Sequence, residues 1–264
     1  MSSLERALAL ILAAHAQTIE VSFHDLETGE RIELRARESV HAASTMKLAV
    51  LLAAYRLGLP LDQPVRVENR FASIADGSTF AVDPKDDEDP WPYTQLGKEV
   101  PLQVLLEHMI VRSSNLATNL VMLKLQAAQV ERVCRDLGAN DIRVLRGVED
   151  LKAHEKGLDN TATAHDLALL LEAMPPPAVE ILSRQELNEG LPAGLPKGTR
   201  VAHKTGEIDR HYHDAGLVFP PPRPGRKPYV LAVMTRGFET KEEAAAVVRE
   251  ISRTVWRSVV DSAR

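Results

Sequence analysis

Three short groups of residues in the sequence carry side chains suited to acyl-transfer chemistry. In the first group, Ser44 and Lys47 lie three positions apart, so a helix would place both side chains on one face. A serine hydroxyl becomes a good nucleophile when a base takes its proton, and a lysine with a lowered pKa can be that base. By itself the pair is a weak signal, because a helix-capping serine and a surface lysine have the same spacing.

The second group places a hydroxyl and a carboxamide between two predicted helices. Ser113 and Asn115 follow one helical segment and precede the next, so their side chains can face the same cleft. The hydroxyl can relay a proton to a leaving nitrogen, and the carboxamide can hold an amide of a substrate. Serine and asparagine are also frequent helix caps, so a structural interpretation stays open for this group.

The third group lies on a predicted strand. Lys204 and Thr205 can bind a substrate carboxylate, and Gly206 allows a ligand to approach the backbone closely. The next backbone N–H, at Glu207, can form an oxyanion hole together with that of Ser44. A glycine at the end of an ordinary strand would produce the same local sequence.

Strand patterns lie at both ends of the sequence, and helical patterns lie in the middle. Alternation predicts a hairpin over 18–34 and strands over 200–205, 215–219 and 229–235, the last two joined by a Pro- and Gly-containing loop at 220–228. Apolar spacing predicts helices near the N-terminus and at 44–57, 102–110, 116–123, 130–137 and 167–174, and a last one after a capping box at 240–243. Three prolines at 175–177 are expected to stop a helix, and residues 60–101 are expected to be irregular.

This order of elements predicts an α+β fold. The terminal segments would form one antiparallel sheet flanked by the first and last helices, with the helical middle inserted between them. The sheet subdomain then comprises residues 1–40 and 195–264, and the helical subdomain comprises residues 41–194, together forming one compact catalytic unit.

Composition excludes several classes of function. The 264 residues have a net charge of −5 with acidic and basic residues interleaved, which does not indicate a nucleic-acid surface. The acidic run at 83–89 is typical of a solvated loop, and the single cysteine, Cys134, cannot form an intramolecular disulfide. No apolar run reaches the roughly 18 residues that a membrane-spanning helix needs. We expect a monomer with a small-molecule substrate and neither a nucleic-acid nor a membrane partner.

The N-terminal segment permits two interpretations. Residues 7–16 are apolar and end in an Ala-His-Ala sequence, which is typical of a signal-peptide cleavage site. However, the leading residues have no net positive charge, and the apolar residues between positions 4 and 12 share one helical face. We favour a structural first helix, and therefore a cytoplasmic location over a periplasmic or secreted one.

In this order, the three groups form the pattern S-x-x-K, S-x-N and K-T-G, which resembles the signature of class A β-lactamases and the related penicillin-binding proteins. The resemblance runs from about residue 19 to the final helix and is closest at 42–48 and 109–120. It implies a β-lactamase/transpeptidase-like fold with the active site between the two subdomains, and an acyl-enzyme mechanism without a cofactor. The implied roles are attack by Ser44, proton removal by Lys47, proton transfer by Ser113, substrate orientation by Asn115, and carboxylate binding by Lys204 and Thr205.

Two segments depart from the family pattern. Ser114 replaces the acidic residue of the second motif, which is mostly structural in the family. In the loop at 146–152, aligning the arginine and the leucine puts Val148 where class A enzymes have a glutamate that activates water. A shift of one residue assigns this role to Glu149, and Lys152 replaces an asparagine of the family. Both registers stay open, and Glu149 is the candidate deacylation base.

Further candidates lie after the third motif and in the long loop. Class A enzymes often carry an arginine near this strand that binds the substrate carboxylate, and Arg210 and His213 are the candidates here. His211 and His213 form an isolated pair, which without a third ligand indicates no metal site. Trp91 and Tyr93 either line the cleft or pack within the loop.

Three functions are compatible with these residues. The first is a serine hydrolase that forms an acyl-enzyme on Ser44 with β-lactams and releases it with the help of Glu149. The second is an esterase or peptidase, or a penicillin-binding protein that acylates but deacylates β-lactams poorly. The third is a binding module without turnover. It is disfavoured because such a module would not need to retain Ser44 together with Lys47, Ser113 and Lys204.

Overall fold

Helices and strands follow one another in a computed structural model that describes residues 1–220 and 226–261. The predicted first helix begins with a capping box formed by Ser2 and Glu5. Within the described residues, no helix is both long enough and apolar enough to cross a membrane. The elements are α1 (Ser3–Ala13), β1 (Thr18–Asp25), β2 (Arg31–Leu34), β3 (Val40–His41), α2 (Lys47–Arg56), β4 (Pro64–Arg66), β5 (Phe71–Ala72), β6 (Thr79–Phe80), β7 (Glu99–Pro101), α3 (Leu102–Val111), α4 (Asn115–Leu125), α5 (Ala127–Asp136), α6 (Leu151–Glu155), β8 (Thr161–Ala162), α7 (Ala164–Glu172), α8 (Pro176–Leu182), β9 (Arg200–Ile208), β10 (His211–Phe219), β11 (Tyr229–Arg236) and α9 (Lys241–Asp261).

The central sheet is antiparallel and has five strands in the order β2-β1-β11-β10-β9. Strand β1 pairs with β11 along its whole length, from Thr18 opposite Arg236 to Asp25 opposite Tyr229. Segments from the two ends of the chain therefore share one sheet, as the sequence predicts. The loop predicted at 220–228 includes residues 221–225, which lie outside the described residues.

Helices cover both faces of this sheet. On one face, α1 and α9 pack against it, and Leu8, Phe23 and Ile251 belong to one buried apolar cluster. On the other face, Ala232 and Met234 belong to a larger cluster that contains the buried residues of α2, α3, α4, α5 and α7. Burying a sheet on both faces between helices is a stable layer arrangement, and the fold is α+β as predicted.

Helix α2 passes through the larger cluster. Every residue from 47 to 54 is buried, so this helix has apolar surroundings on all sides instead of one polar face. A 3₁₀ turn at Ala43–Met46 precedes α2 and packs against β9, the edge strand of the sheet. This turn, which the sequence predicts as the start of the helix, places residue 44 where helices and sheet edge meet.

The structure differs from the sequence predictions in three regions. Residues 60–101 contain short strands, with β4 paired to β7 and β5 paired to β6. Strands of two or three residues are too short to leave a readable alternation. Helix α7 ends before the prolines at 175–177, but Pro176 begins α8, because the first turn of a helix needs no hydrogen bond from its N–H groups. The short helix α6 was also not predicted.

Candidate active site

Ser44 lies in the 3₁₀ turn between β3 and α2. The residue before it, Ala43, has a φ of 46°, in the left-handed region where a non-glycine residue is strained by about 1–3 kcal/mol. Gly206 of β9 packs directly on this turn, since a Cβ there would lie 3.1 Å from the Ser44 nitrogen and 3.0 Å from the Thr45 nitrogen. A larger residue at 206 would separate strand and turn. The close approach puts the backbone of Ser44 beside that of Glu207, and both residues line the same cleft.

Two histidines support this strained turn. The N–H of Ala43 donates to Nδ1 of His41 at 3.0 Å, and Nε2 of His213 donates to the His41 carbonyl at 2.8 Å. Nδ1 of His213 accepts from the N–H of Thr235 at 3.1 Å, which assigns its proton to Nε2. Burial lowers the pKa of His213 to about 4, so the ring is neutral near pH 7. The suggestion that His213 binds a substrate carboxylate is therefore wrong, because its ring is occupied beneath the turn.

The Ser113 hydroxyl lies within hydrogen-bond distance of the side chains of two buried lysines. Lys47 Nζ lies 3.2 Å from Ser113 Oγ and donates to the Ser113 carbonyl at 2.7 Å. Lys204 Nζ lies 3.0 Å from the same Oγ and donates to the Thr205 carbonyl at 2.8 Å. Ser113 also has a strained φ of 59°. The three groups recognised in the sequence thus converge on one hydroxyl.

Burial lowers the pKa of both lysines. It lowers the pKa of Lys47 to about 7, although the carboxylates of Asp87 and Glu149 act in the opposite direction. It lowers the pKa of Lys204 well below its usual range, and the neighbouring charge of Lys47 lowers it further. An amine with a pKa near 7 is partly unprotonated at neutral pH, which is the state a general base requires.

Asn115 connects Lys47 to Glu149. Its Oδ1 accepts from Lys47 Nζ at 3.0 Å, and its Nδ2 donates to Glu149 Oε1 at 3.1 Å. Glu149 is half-buried, has a φ of 63° and lines the cleft that contains Ser44. Burial raises the pKa of the Glu149 carboxyl, and the charge of Asp86 adds to this effect. A carboxylate with a raised pKa beside a nucleophile is suited to proton transfer.

The loop that carries Glu149 is held by its backbone. The N–H of Val148 donates to Asn119 Oδ1 at 2.7 Å, and its carbonyl accepts from Asn119 Nδ2 at 3.0 Å. Gly147 must be small, since a Cβ there would lie 2.1 Å from Asn119 Oδ1. Of the two registers that the sequence leaves open, this geometry brings the carboxylate of the later residue, Glu149, to the cleft.

A carboxylate that we did not predict from the sequence lies at the start of α4. Asp87 Oδ2 accepts from the backbone N–H groups of Asn115 and Leu116, each at 2.9 Å. It also accepts from the Tyr93 hydroxyl at 2.9 Å and from Ser114 Oγ at 3.2 Å. Position 114 lacks the acidic residue of the family motif, and Asp87, from the loop before α3, supplies a carboxylate instead. Asp87 holds Asn115, which contacts Lys47.

Asp87→Asn is expected to lower the free energy of unfolding by about 2 kcal/mol. The substitution removes a negative charge at a helix N-terminus and weakens hydrogen bonds to a charged acceptor. Urea unfolding measures the change. Asp62→Asn, at an exposed position, is the matched control and should change stability by less than about 0.5 kcal/mol. Equal stability of the Asp87 variant and the parent protein would show that Asp87 does not hold α4.

Other residues singled out in the sequence lie away from the nucleophile. Arg210 donates to the Gly237 carbonyl at 2.9 Å and pairs with a glutamate near the start of α9, so it supports a hairpin and is not the predicted carboxylate ligand. Trp91 of the long loop stacks on His108 of α3, with ring centroids 4.0 Å apart. Lys241, at the first position of α9, is a cation that lines the cleft beside Thr205. The capping box at 240–243 predicted the start of a helix there but did not indicate a site residue.

Three side chains at the rim have the composition of a metal site. His41, His154 and Asp159 place potential ligand atoms within 4.8 Å of one another. However, the Ala43 N–H occupies Nδ1 of His41, so Nε2 carries the proton, and the guanidinium of Arg146 lies 3.0 Å from Asp159 Oδ1. A cation would have to displace both contacts, so the group is an internally paired cluster.

The relationship to known proteins extends over almost the whole chain. A sequence model described as the β-lactamase enzyme family matches residues 3–259. The chain belongs to this family. A β-lactamase from Streptomyces fradiae is 28% identical over 97% of this chain and 86% of its own length. A β-lactamase from Bacteroides uniformis is 42% identical over a shorter stretch of 69 residues, which is 24% of this chain and 23% of that one.

Solved structures of β-lactamase-type proteins have the same fold. A mutant of PBP-A, determined as an acyl-enzyme complex with penicillin G, has a TM-score of 0.78 and 25% identity, covering 98% of this chain and 96% of that one. The class A β-lactamase described as the last common ancestor of Gram-negative bacteria has a TM-score of 0.78 and 24% identity, covering 98% and 100%. These similarities confirm the predicted β-lactamase/transpeptidase-like fold.

Proposed function

We propose that this β-lactamase-family protein is a serine hydrolase that opens β-lactam rings through an acyl-enzyme on Ser44. The observation that carries the proposal is the position of Ser113 Oγ, 3.2 Å from Lys47 Nζ and 3.0 Å from Lys204 Nζ. A nucleophile, a base and a proton carrier are then available in one cleft. The β-lactamase from Streptomyces fradiae and the PBP-A complex with penicillin G support β-lactams as the substrate class.

Acylation uses the base and the proton carrier in succession. Ser44 Oγ attacks the lactam carbonyl carbon while the neutral Lys47 amine takes the hydroxyl proton. The backbone N–H groups of Ser44 and Glu207 stabilise the negative charge that develops on the carbonyl oxygen. Lys47 then returns the proton through Ser113 Oγ to the lactam nitrogen as the carbon–nitrogen bond breaks.

The remaining residues of the second and third motifs bind the substrate. Lys204 and Thr205 bind the substrate carboxylate, because Thr205 lines the cleft and the Lys204 amine lies directly behind it, 3.0 Å from Ser113 Oγ. Asn115 orients the side-chain amide of the substrate through the part of its carboxamide that faces the cleft. Gly206 keeps this wall close to the nucleophile.

Deacylation requires a base for water, and we assign this task to Glu149. Its carboxylate lines the cleft with Ser44, and its raised pKa makes it a better proton acceptor than an ordinary glutamate. The water proton goes to Glu149 as the oxygen attacks the ester carbonyl, and Ser44 leaves with a proton returned to its Oγ. No cofactor takes part in these steps.

Glu149→Gln is expected to slow deacylation by about 10²–10³-fold while acylation proceeds, because glutamine keeps the hydrogen bond to Asn115 but cannot accept the proton. Intact-mass spectrometry after mixing with penicillin G should show an adduct that persists in the variant and is short-lived in the parent. Glu155→Gln, on the exposed side of α6, is the matched control. Unchanged turnover in Glu149→Gln would remove this residue from the mechanism.

A penicillin-binding protein that deacylates slowly is the second candidate function, and one contact favours it. Lys152, which replaces an asparagine of the family, donates to Asp76 Oδ2 at 3.0 Å and to Ser78 Oγ at 2.7 Å. Its side chain therefore pairs with a surface loop and does not line the cleft beside Glu149. A stable penicillin adduct on the parent protein without turnover would favour this alternative.

A further inference from the structure

One hydrogen bond in the turn that carries Ser44 depends on a titratable side chain. The N–H of Ala42 donates to the backbone carbonyl of Asn160 at 2.9 Å. The N–H of Ala43 donates instead to a side chain, at Nδ1 of His41, over 3.0 Å. A backbone carbonyl accepts a hydrogen bond at any pH, whereas an imidazole nitrogen accepts one only while it is unprotonated.

This hydrogen bond acts on the residue at which the turn is strained. Ala43 has a φ of 46° and directly precedes Ser44, so its conformation sets the direction of the nucleophile and of its backbone N–H. A left-handed conformation at a non-glycine residue persists only where the surrounding structure holds it. Nδ1 of His41 is one such support, and Gly206, packed on the turn, is another.

A proton on Nδ1 of His41 would remove this support. In the neutral ring the proton is on Nε2, and Nδ1 faces the Ala43 N–H. In the imidazolium form both ring nitrogens are donors, so two N–H groups would point at each other across 3.0 Å. The ring or the turn must then move, and the strained conformation of Ala43 loses the hydrogen bond that opposes its relaxation.

The surroundings of the His41 ring determine the pH at which it takes up this proton. Charged or titratable side chains from the segments around α6 and from β9 and β10 face the ring or line the same cleft: Arg146, Glu149, His154, Asp159, Glu207 and His211. Burial lowers the pKa of His41, although the Asp159 carboxylate, 3.7 Å from Nε2, acts in the opposite direction. The charges of the neighbouring arginine and histidines lower this pKa further. The ring is therefore neutral at pH 7 and is protonated only in acid.

We propose that His41 is a positioning residue for the nucleophile: its neutral ring holds the Ala43 turn that presents Ser44, and protonation of the ring releases this turn. This inference rests on the proposed function, because it concerns acylation of the same serine. Displacement of the turn moves Ser44 Oγ together with one of the two N–H groups of the oxyanion hole. Since loss of one oxyanion-hole donor costs about 10²–10³-fold in rate, acylation of the imidazolium form is expected to be slow.

Two nearly isosteric substitutions separate the hydrogen-bond acceptor from the volume of the side chain. In His41→Asn the carboxamide oxygen is bonded to Cγ, as Nδ1 is in histidine, and it accepts a hydrogen bond without titrating. In His41→Leu a methyl group takes that place. At about pH 8, penicillin G should acylate His41→Asn within about 3-fold of the parent rate and His41→Leu at least about 10-fold more slowly. Rapid quenching followed by intact-mass spectrometry measures these rates.

The pH profile distinguishes a positioning role from simple packing. The parent and His41→Asn share Lys47 and all other titrating groups, so the ratio of their acylation rates isolates the protonation of His41. From about pH 8 to about pH 4.5, the parent should lose at least about 3-fold more of its rate than His41→Asn loses. The control His154→Asn removes an exposed histidine of α6 whose Nδ1 pairs with Asp159, and it should lose rate in acid as the parent does. This readout does not depend on the leucine variant.

The outcomes distinguish failure of this role from failure of the proposed function. Equal acylation of the asparagine and leucine variants at pH 8, or a parent-to-asparagine rate ratio that does not change with pH, overturns the role of His41 and leaves the proposed function in place. If His154→Asn also lacks the additional loss in acid, the assignment of that loss to His41 is overturned. Absence of acylation of the parent at every pH overturns both proposals.

Discussion

Ser44→Ala is expected to lower kcat/KM for penicillin G by about 10⁴-fold or more and to abolish the covalent adduct, since removal of the nucleophile eliminates the acyl-enzyme route altogether. The turn around residue 44 should survive, because the Ala43 N–H donates to Nδ1 of His41, His213 donates to the His41 carbonyl, and Gly206 packs on the turn. None of these contacts uses the serine hydroxyl. Turnover assays and intact-mass spectrometry measure the two effects.

Ser113→Ala is the matched control for this experiment, because Ser113 lines the same cleft as Ser44 and carries the hydroxyl that lies close to both lysines. It should acylate more slowly but still give an adduct, and peptide mapping should place that adduct on Ser44. An adduct retained in Ser44→Ala, or one mapped to residue 113 in the parent, would contradict the assignment of the nucleophile.

Lys47→Met is expected to slow acylation by about 10²-fold or more, the usual scale for loss of a general base. Methionine keeps much of the buried volume while removing the amine, which limits the structural change. In the parent, the acylation rate should rise as pH increases through about 7, because the Lys47 ammonium loses its proton there and becomes able to accept one. This rise should be absent from the variant.

Two further variants test the origin of that pH dependence. Asp87→Asn should move the rise to lower pH, because the Asp87 carboxylate raises the pKa of Lys47 and its removal lets burial lower that pKa further. Lys124→Met, at an exposed position of α4, should leave rate and pH dependence unchanged. An unaltered acylation rate and pH profile in Lys47→Met would exclude Lys47 as the base.

Much of the fold follows from local patterns in the sequence. Alternation over 18–34 and 229–235 predicted the strands that pair at the centre of the sheet, and apolar spacing predicted α3, α4 and α5. These segments are long enough for their period to be read. The three short motifs were informative because of their order, and the fold brings Lys47, Ser113 and Lys204 together as that order implied.

Local sequence patterns do not predict contacts between segments that are far apart along the chain. The acidic run at 83–89 is typical of a solvated loop, yet Asp87 is buried because two N–H groups at the start of α4 need an acceptor. The support of the Ser44 turn by His213 depends on a hydrogen bond between residues that are 172 positions apart in the sequence. Lys241 belongs to the cleft for the same reason, since the C-terminal helix begins at the rim.

The loop at 146–152 shows how structure adds to an ambiguous alignment. From the sequence alone, either Val148 or Glu149 could occupy the position of the water-activating glutamate of class A enzymes. The backbone pairing of Val148 with Asn119, and the need for glycine at 147, hold the loop in a conformation in which the Glu149 carboxylate lines the cleft and accepts a hydrogen bond from Asn115. Whether this loop brings a carboxylate to the cleft depends on its backbone conformation, which the spacing of residues in the sequence does not specify.

Time-resolved intact-mass spectrometry of the protein mixed with penicillin G, with hydrolysis followed in parallel, tests whether Ser44 forms an acyl-enzyme. We predict an adduct on Ser44 that forms and is released as penicillin is hydrolysed, and that accumulates in Glu149→Gln. Absence of any adduct in both the parent and the Glu149 variant would contradict an acyl-enzyme mechanism on Ser44.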